Sequence, residues 1–398
     1  MRTSRTGSRT TSKSHPRPSH EARAVPGEGG PADAPKFAGK PDRAILAGRS
    51  TRGGEASITL AELKLLAETA GAQVRGQVVQ RRGAIRASTF LSKGKIEEIQ
   101  ELAAEEKAGL LLFDDDLSPG QQRNLEKETR MRVVDRSALI LDIFARRART
   151  REARLQVELA QLEYLLPRLT RMWSHLGQQA GGIGSRGPGE TQLEVDRRKI
   201  RERLARLKRE LEGVVRERRV QRKGRKDCYK VSLVGYTNAG KSTLFNALAK
   251  AKVYVENQLF ATLDPTTRVI AAEGKVQVLL TDTVGFIRKL PAHLVASFRA
   301  TLEEVTEADL LLHVVDASEP DPDAHIDAVN TVLEELGALQ RPRILVFNKV
   351  DLVEDEITLL GLRAQHPGAV FVSAATREGL PGLREVIAGR FHGDGERR

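Results

Sequence analysis

The stretch Val231-Ser-Leu-Val-Gly-Tyr-Thr-Asn-Ala-Gly-Lys-Ser-Thr-Leu244 decides the fold, because an apolar run ends at Gly235 and continues as Gly-x-x-x-x-Gly-Lys-Ser. Val231 to Val234 predict a buried parallel strand, and Ser242 to Lys250 predict the helix that follows. Strand, glycine loop and helix thus stand in the order that a phosphate-binding loop requires. Gly235 and Gly240 let the backbone curl until several N–H groups point inward at a phosphate. Lys241 reaches the outer phosphates, and the Ser242 hydroxyl is placed to ligate Mg²⁺. The candidate cradle is therefore Gly235, Tyr236, Thr237, Asn238, Ala239, Gly240, Lys241, Ser242 and Thr243.

Three downstream loops complete a nucleotide site. Leu279-Leu-Thr-Asp-Thr-Val-Gly285 closes a second apolar strand on Asp282, a carboxylate where Mg²⁺ needs a further anchor. Asp282, Thr283, Val284 and Gly285 join the candidate site, and the Gly285 N–H can approach a γ-phosphate closely. Arg343-Ile-Leu-Val-Phe-Asn-Lys-Val-Asp351 closes a third strand with Asn-Lys-x-Asp. Asp351 can accept from both N1–H and the exocyclic amine of guanine, a donor pair that adenine lacks, so the base is guanine. Lys349 is expected along the base and Asn348 between the loops, while Val370-Phe-Val-Ser-Ala-Ala375 brings the N–H groups of Ser373, Ala374 and Ala375 to the guanine O6. GTP and GDP are the expected ligands, with Mg²⁺ as cofactor and with Lys241 and Gly285 as candidate catalytic groups.

With 398 residues and 40% hydrophobic content the chain can build two or three domains. It contains no run of about 18 to 20 apolar residues, which excludes a membrane-spanning helix. Cys228 is the sole cysteine, so an internal disulfide is excluded and a reducing compartment, the cytoplasm, is expected. Cys228 itself reads as an inert residue at a strand start. Charge is unevenly spread. From Tyr229 onward there are 18 Lys and Arg against 23 Asp and Glu, whereas the portion before it holds 47 against 30. The basic front therefore predicts a polyanionic partner, nucleic acid ahead of membrane.

Residues 1–41 are rich in Ser, Thr, Pro, Gly and Arg and lack apolar residues for a core, so they predict a disordered basic tail. Residues 42–149 alternate strand and helix: strands at Arg43 to Ala47, Gln73 to Val79, Leu110 to Phe113 and Met131 to Val134, and helices at Leu60 to Ala70, Lys95 to Ala103, Ala138 to Arg146 and Ser118 to Thr129, the last capped by Ser118. Such alternation predicts a small parallel sheet. Asp114, Asp115 and Asp116 at a strand end read as loop and helix-start residues ahead of a metal site. In residues 150–222, Leu155, Leu159, Leu162, Leu165, Leu166 and Leu169 form one helical stripe, and Leu193, Ile200, Leu204, Leu207, Leu211 and Val214 form another. Two long helices pairing antiparallel are expected, with the Gly-rich stretch Gly177 to Gly189 as their tip. Its Gly182-Ile-Gly-Ser-Arg-Gly187 matches a dinucleotide fingerprint but follows no strand, and is discounted. Residues 223–228 have linker composition, 229–392 form the nucleotide domain, and 393–398 a disordered end.

Several long segments carry a family resemblance. Phe113-Asp-Asp-Asp-Leu-Ser-Pro-Gly-Gln-Gln-Arg-Asn-Leu-Glu126, Leu139-Ile-Leu-Asp-Ile-Phe144, Leu155-Gln-Val-Glu-Leu-Ala-Gln-Leu162, Gly181-Gly-Ile-Gly-Ser-Arg-Gly-Pro-Gly-Glu-Thr191 and Phe260-Ala-Thr-Leu-Asp-Pro-Thr-Thr-Arg268 resemble the signatures of the HflX GTPases, covering roughly Asp42 to Phe391. The resemblance implies an α/β fold in which a P-loop GTPase domain is preceded by a small α/β parallel-sheet domain and a long antiparallel helical hairpin. It implies a monomeric GTP-hydrolysing switch that binds the large ribosomal subunit and its RNA and acts in ribosome splitting, rescue or biogenesis. It further implies that Phe260, Ala261, Thr262, Leu263 and Asp264 form the first switch, with Thr262 as the second hydroxyl on Mg²⁺ and a catalytic residue. Thr266 and Thr267 compete for that role. Phe286 stands where many GTPases carry a water-orienting glutamine, so slow intrinsic hydrolysis is expected. Asn238 resembles the asparagine of potassium-stimulated GTPases, which makes K⁺ a candidate second cation. Other classes are an RNA-binding assembly factor for the large subunit and a membrane-associated signalling GTPase, the latter without the aromatic anchors of an interfacial helix.

Overall fold

Helix and strand signals in the front half give its elements in the observed order, with helix ends that differ by as much as five residues. The structure, a computed structural model, describes residues 42–50, 55–81, 86–171, 188–223, 228–249, 259–271, 277–291, 294 and 299–395. The expected tail 1–41, most of the glycine-rich tip and residues 396–398 lie outside the described residues. The front portion runs β1 (Arg43–Arg49), α1 (Glu55–Thr69), β2 (Gln73–Gln80), α2 (Lys93–Glu106), β3 (Leu110–Phe113), α3 (Pro119–Thr129), β4 (Arg132–Asp135) and α4 (Arg136–Arg147). All pairings are parallel, in the order β2-β1-β3-β4. Buried Leu110 to Phe113 on β3 suit the interior of such a sheet. α3 starts where it does because Ser118 and Gln121 form a capping box with Pro119 in the first turn.

The middle consists of α5 (Arg151–Leu165), only 15 residues long, and α6 (Pro188–Lys223), 36 residues long. Leu155, Leu159 and Leu162 of α5 meet Leu204 and Leu207 of α6 in a cluster of their own, as the two stripes require. Arg203 adds a two-pronged ion pair to Glu158, both contacts 2.7 Å. The expected linker is shorter than composition suggests. Helix α6 continues to Lys223, and Cys228 already belongs to the next strand, because the Arg- and Lys-rich segment is as helix-competent as it is linker-like.

The rear portion holds β5 (Cys228–Gly235), α7 (Lys241–Ala249), β6 (Thr266–Ala271), β7 (Gln277–Asp282), α8 (Arg299–Thr306), β8 (Leu310–Asp316), α9 (Pro322–Glu335), β9 (Arg343–Asn348), α10 (Glu356–Gln365), β10 (Val370–Phe371) and α11 (Leu380–Gly395). Helix α11 extends to Gly395, three residues into the end expected to be disordered. The sheet order is β10-β9-β8-β5-β7-β6, parallel except for β6 against β7. The loops after Gly235, Asp282, Asn348 and Phe371 therefore leave the carboxyl ends of β5, β7, β9 and β10, where open α/β sheets bind ligands, and the segment with Thr262 leads into β6. Among the described residues no helix is long and apolar enough to cross a membrane.

Front and rear share one core. Leu46, Leu60, Phe144 and Ala153 pack in the same cluster as Tyr236, Phe260, Leu263 and Phe286. The acidic triplet explains the polar part of this junction. Asp114 pairs with Arg136 (2.8 Å) and with Lys289 (2.6 Å), Asp115 with Lys289 (2.8 Å), and Asp116 accepts from the Ser137 hydroxyl. The triplet is thus occupied by cations and a hydroxyl of the chain itself.

Candidate nucleotide site

The loop after β5 takes its shape from glycines that a side chain could not replace. Gly240 has φ +85°, and a Cβ there would lie 2.2 Å from Asn348 Nδ2. At Gly285 a Cβ would meet Thr237 Cα at 2.7 Å and Lys241 Nζ at 3.1 Å. Gly285→Ala should therefore displace the loop carrying the candidate catalytic N–H, and a misplacement approaching 1 Å lowers turnover on the order of 10²-fold. Single-turnover hydrolysis measured beside GDP affinity checks this, the affinity staying within a few-fold.

Lys241 is buried at the centre, its Nζ donating to the carbonyl oxygens of Gly235 (3.0 Å) and Tyr236 (2.7 Å). Burial pulls its ammonium down to about 8, against the opposing pull of Asp282. Ser242 Oγ donates to Asp282 Oδ2 at 2.6 Å and lies 2.7 Å from Thr262 Oγ1. Asp282 Oδ1 is buried without a well-formed hydrogen bond. Burial raises the Asp282 carboxyl above its ordinary range, the Ser242 hydroxyl acting in the opposite sense. Two hydroxyls and a carboxylate with an unsatisfied oxygen form an all-oxygen set that fits a hard cation such as Mg²⁺. Thr266 and Thr267 do not take part. Both lie in β6, where the Thr267 hydroxyl meets that of Thr281 at 3.0 Å.

At the base-binding end, Asn348 ties two loops together, donating through Nδ2 to Ala239 O and accepting from Ala374 N–H, both at 3.0 Å. Lys349 has φ +64°, and its Nζ lies 2.6 Å from Asp316 Oδ2, an orienting contact that the sequence reading missed. Asp351 is exposed in a short 3-10 turn, Val350–Leu352, that follows β9. The expectation that Ser373, Ala374 and Ala375 all present N–H groups to the base narrows. Ser373 N–H donates to Glu378 O (3.0 Å) and Ala374 N–H to Asn348, leaving Ala375 as the N–H of the three without a partner among the described residues.

Phe286 is fully buried, its N–H donating to Gly235 O (3.1 Å) and its carbonyl accepting from Thr237 N–H (2.7 Å). Its ring supplies no polar group to a water. Asn238 is exposed, with φ +63°. The remaining surprise is Tyr236. Its hydroxyl donates to Glu62 on α1 and accepts from Arg288 N–H at 2.9 Å, while its ring stacks on His325 at 4.1 Å. Arg136 of α4 joins the same knot, donating to Glu62 and, at 3.0 Å, to Arg288 O. These partners lie from 52 to 174 residues apart, so no local spacing in the sequence signals them.

Comparison with known proteins agrees with this geometry. Residues 57–145 match a family described as the GTP-binding GTPase N-terminal region, 147–225 the GTP-binding GTPase middle region, and 230–349 a 50S ribosome-binding GTPase. The GTPase HflX of Caldanaerobacter subterraneus subsp. tengcongensis is 50% identical over 331 residues, covering 83% of this chain and 76% of its own. That of Escherichia coli K12 is 49% identical over 338 residues, covering 84% and 79%. A GTP-binding protein from Sulfolobus solfataricus solved with GDP is similar at 25% identity and a TM-score of 0.45, over 87% of this chain and 97% of that one. With identity near one half across most of both sequences, and with the loop of Gly235 to Ser242 folded as described, the chain belongs to the HflX family of GTPases and is an enzyme that hydrolyses GTP.

Proposed function

We propose that this GTPase is a switch that binds the large ribosomal subunit in its GTP form and acts in ribosome splitting and rescue. The observation that carries the switch reading is the meeting of Ser242, Thr262 and Asp282, which come from three separate segments of the chain, beside Lys241. In the proposed assignment Ser242 and Thr262 hold Mg²⁺ with Asp282 behind them, and Lys241 and the Gly285 N–H stabilise charge developing on the γ-phosphate. Bound there, Mg²⁺ neutralises phosphate charge during transfer. Asp351 reads guanine, Lys349 lies along its face, and Ala375 N–H serves O6. The partner reading is supported by the description of the family matched over 230–349 and by the excess of basic over acidic residues before Tyr229. Neutralising RNA phosphates with such a surface gives binding that weakens steeply with salt.

A buried Phe286 in place of a polar, water-orienting side chain favours slow hydrolysis until a partner acts. We assign the cytoplasm as the place of action and K⁺ near Asn238 as a second activating cation. Turnover in KCl should then exceed that in NaCl, and equal rates would remove K⁺ from the account. Co-sedimentation with a non-hydrolysable GTP analogue tests the partner: pelleting with mature large subunits and dissociation of 70S particles support splitting, whereas pelleting with large-subunit precursors alone moves the role to biogenesis.

A further inference from the structure

We infer that Asp264 and Thr150 form a positioning pair that fastens the segment carrying Thr262 to the first turn of α5, so that the helical middle of the chain governs whether the Thr262 hydroxyl reaches the cation. The inference rests on the Mg²⁺ assignment proposed above for Ser242 and Thr262. The Asp264 carboxylate takes three donors from one place: the N–H groups of Arg149 (3.0 Å) and Thr150 (3.2 Å) on Oδ2, and the Thr150 hydroxyl on Oδ1. Thr150 is the N-cap of α5, and its hydroxyl oxygen accepts from Ala153 N–H at 3.1 Å while donating to Asp264. A carboxylate at this point also meets the positive end of the helix dipole.

The other side of Thr262 is anchored as well. The Phe260 ring packs edge-on against Phe144 of α4 at 4.7 Å and 86°, and Phe260 N–H donates to Thr237 Oγ1 at 3.1 Å. Phe260 adopts φ +54°, a conformation that a bulky residue holds only when its surroundings fix it. Thr262 therefore sits two residues from an anchor on each side, one on α4 of the front portion and the other on the first turn of α5. Its Oγ1 is 2.7 Å from Ser242 Oγ in this arrangement. A load on the α5–α6 pair is transmitted through Asp264 to Thr262, whereas Gly240 and Lys241 of the phosphate loop take no part in the Asp264–Thr150 pair.

The test uses the full chain. Affinities for GDP and for a non-hydrolysable GTP analogue are measured across a Mg²⁺ titration in the native protein, in Asp264→Ala, Thr150→Val, the double variant and Thr150→Ser, with Ser242→Ala as control. Either disruptive change should raise the Mg²⁺ needed for half-maximal analogue binding and weaken that binding about tenfold, a loss equivalent to about 1.4 kcal/mol. GDP affinity should hold within about twofold, the double variant should be no worse than the stronger single, and Thr150→Ser should behave as native. Equal losses for both nucleotides, a fall in thermal midpoint alone, or additive effects in the double variant would overturn the pairing. Should Thr150→Val unfold, Asp264→Asn, which keeps one acceptor oxygen, must give an intermediate shift. If Ser242→Ala leaves the Mg²⁺ dependence unchanged, the cation assignment fails and takes this inference with it. A normal Ser242→Ala effect beside silent Asp264 and Thr150 variants refutes the pairing alone.

Discussion

Lys241→Ala is expected to abolish GTP turnover and to weaken nucleotide binding by about 10² to 10³-fold while leaving the fold intact. Removing one member of a buried charge pair costs about 2–5 kcal/mol in binding, and the outer phosphates lose their enclosed cation. Stability should move little. The ammonium is buried far enough to be pulled down to about 8, so its charged form gains nothing from folding, and its present partners are two loop carbonyls, not a carboxylate. Equilibrium binding of fluorescent GTP and GDP, phosphate release and thermal denaturation decide the matter together. Near-native turnover would overturn the site assignment, and a collapse of the thermal midpoint would show that Lys241 is a structural residue.

The second large effect is a change of base. Asp351→Asn replaces an acceptor-only carboxylate by an amide whose NH₂ meets the guanine amine head-on, losing two charge-assisted hydrogen bonds worth about 1.5–3 kcal/mol each. GTP affinity should fall by about 10² to 10⁴-fold. Xanthine carries a carbonyl where guanine carries the amine, so the amide that repels GTP donates to XTP. The expected result is a reversal of preference, measured as the ratio of turnover efficiencies for the two nucleotides. Exposure of Asp351 does not weaken the expectation, because a bound base would cover the carboxylate, while Asn348 ties the neighbouring loops through Ala239 and Ala374. An unchanged ratio would remove Asp351 from base reading.

Much of the fold was legible because its signals are local. Leu110 to Phe113, Ser118 before Pro119, and the glycine loop after Val234 each declare an element within a few residues, and the structure places them there. Two strands were missed. β8 is a continuous apolar run broken only by His313, with no turn motif beside it, and such a run has no period that distinguishes strand from helix. β6 follows Pro265 and begins with two threonines that competed for the cation role, so its strand character was hidden by its chemistry. The nucleotide loops were legible because Asp282 and Asn348 each end a strand and Lys241 opens the helix after the glycine loop, all three in spaced motifs.

What the sequence did not disclose is how the front half grips the switches. Asp114 to Lys289, Glu62 to Tyr236 and Thr150 to Asp264 join residues more than a hundred positions apart. No periodicity or motif carries that information, since each partner taken alone reads as an ordinary surface charge or a loop hydroxyl. Burial tells otherwise for Arg136, which is 1% exposed and held by Asp114 and Glu62. Removing one partner from so enclosed a knot costs about 3–5 kcal/mol. Arg136→Ala should lower the thermal midpoint of the full chain accordingly, as differential scanning calorimetry would register.

The central claim is that a GTPase with Phe286 in its second switch turns over slowly until its basic front meets the large ribosomal subunit. Steady-state GTP hydrolysis by the purified chain, with and without isolated large subunits at fixed Mg²⁺ and salt, tests it most directly. Low basal turnover is expected, with a rise of at least about tenfold with subunits that weakens as salt is increased. Turnover that is intact and indifferent to subunits at every salt concentration would contradict it.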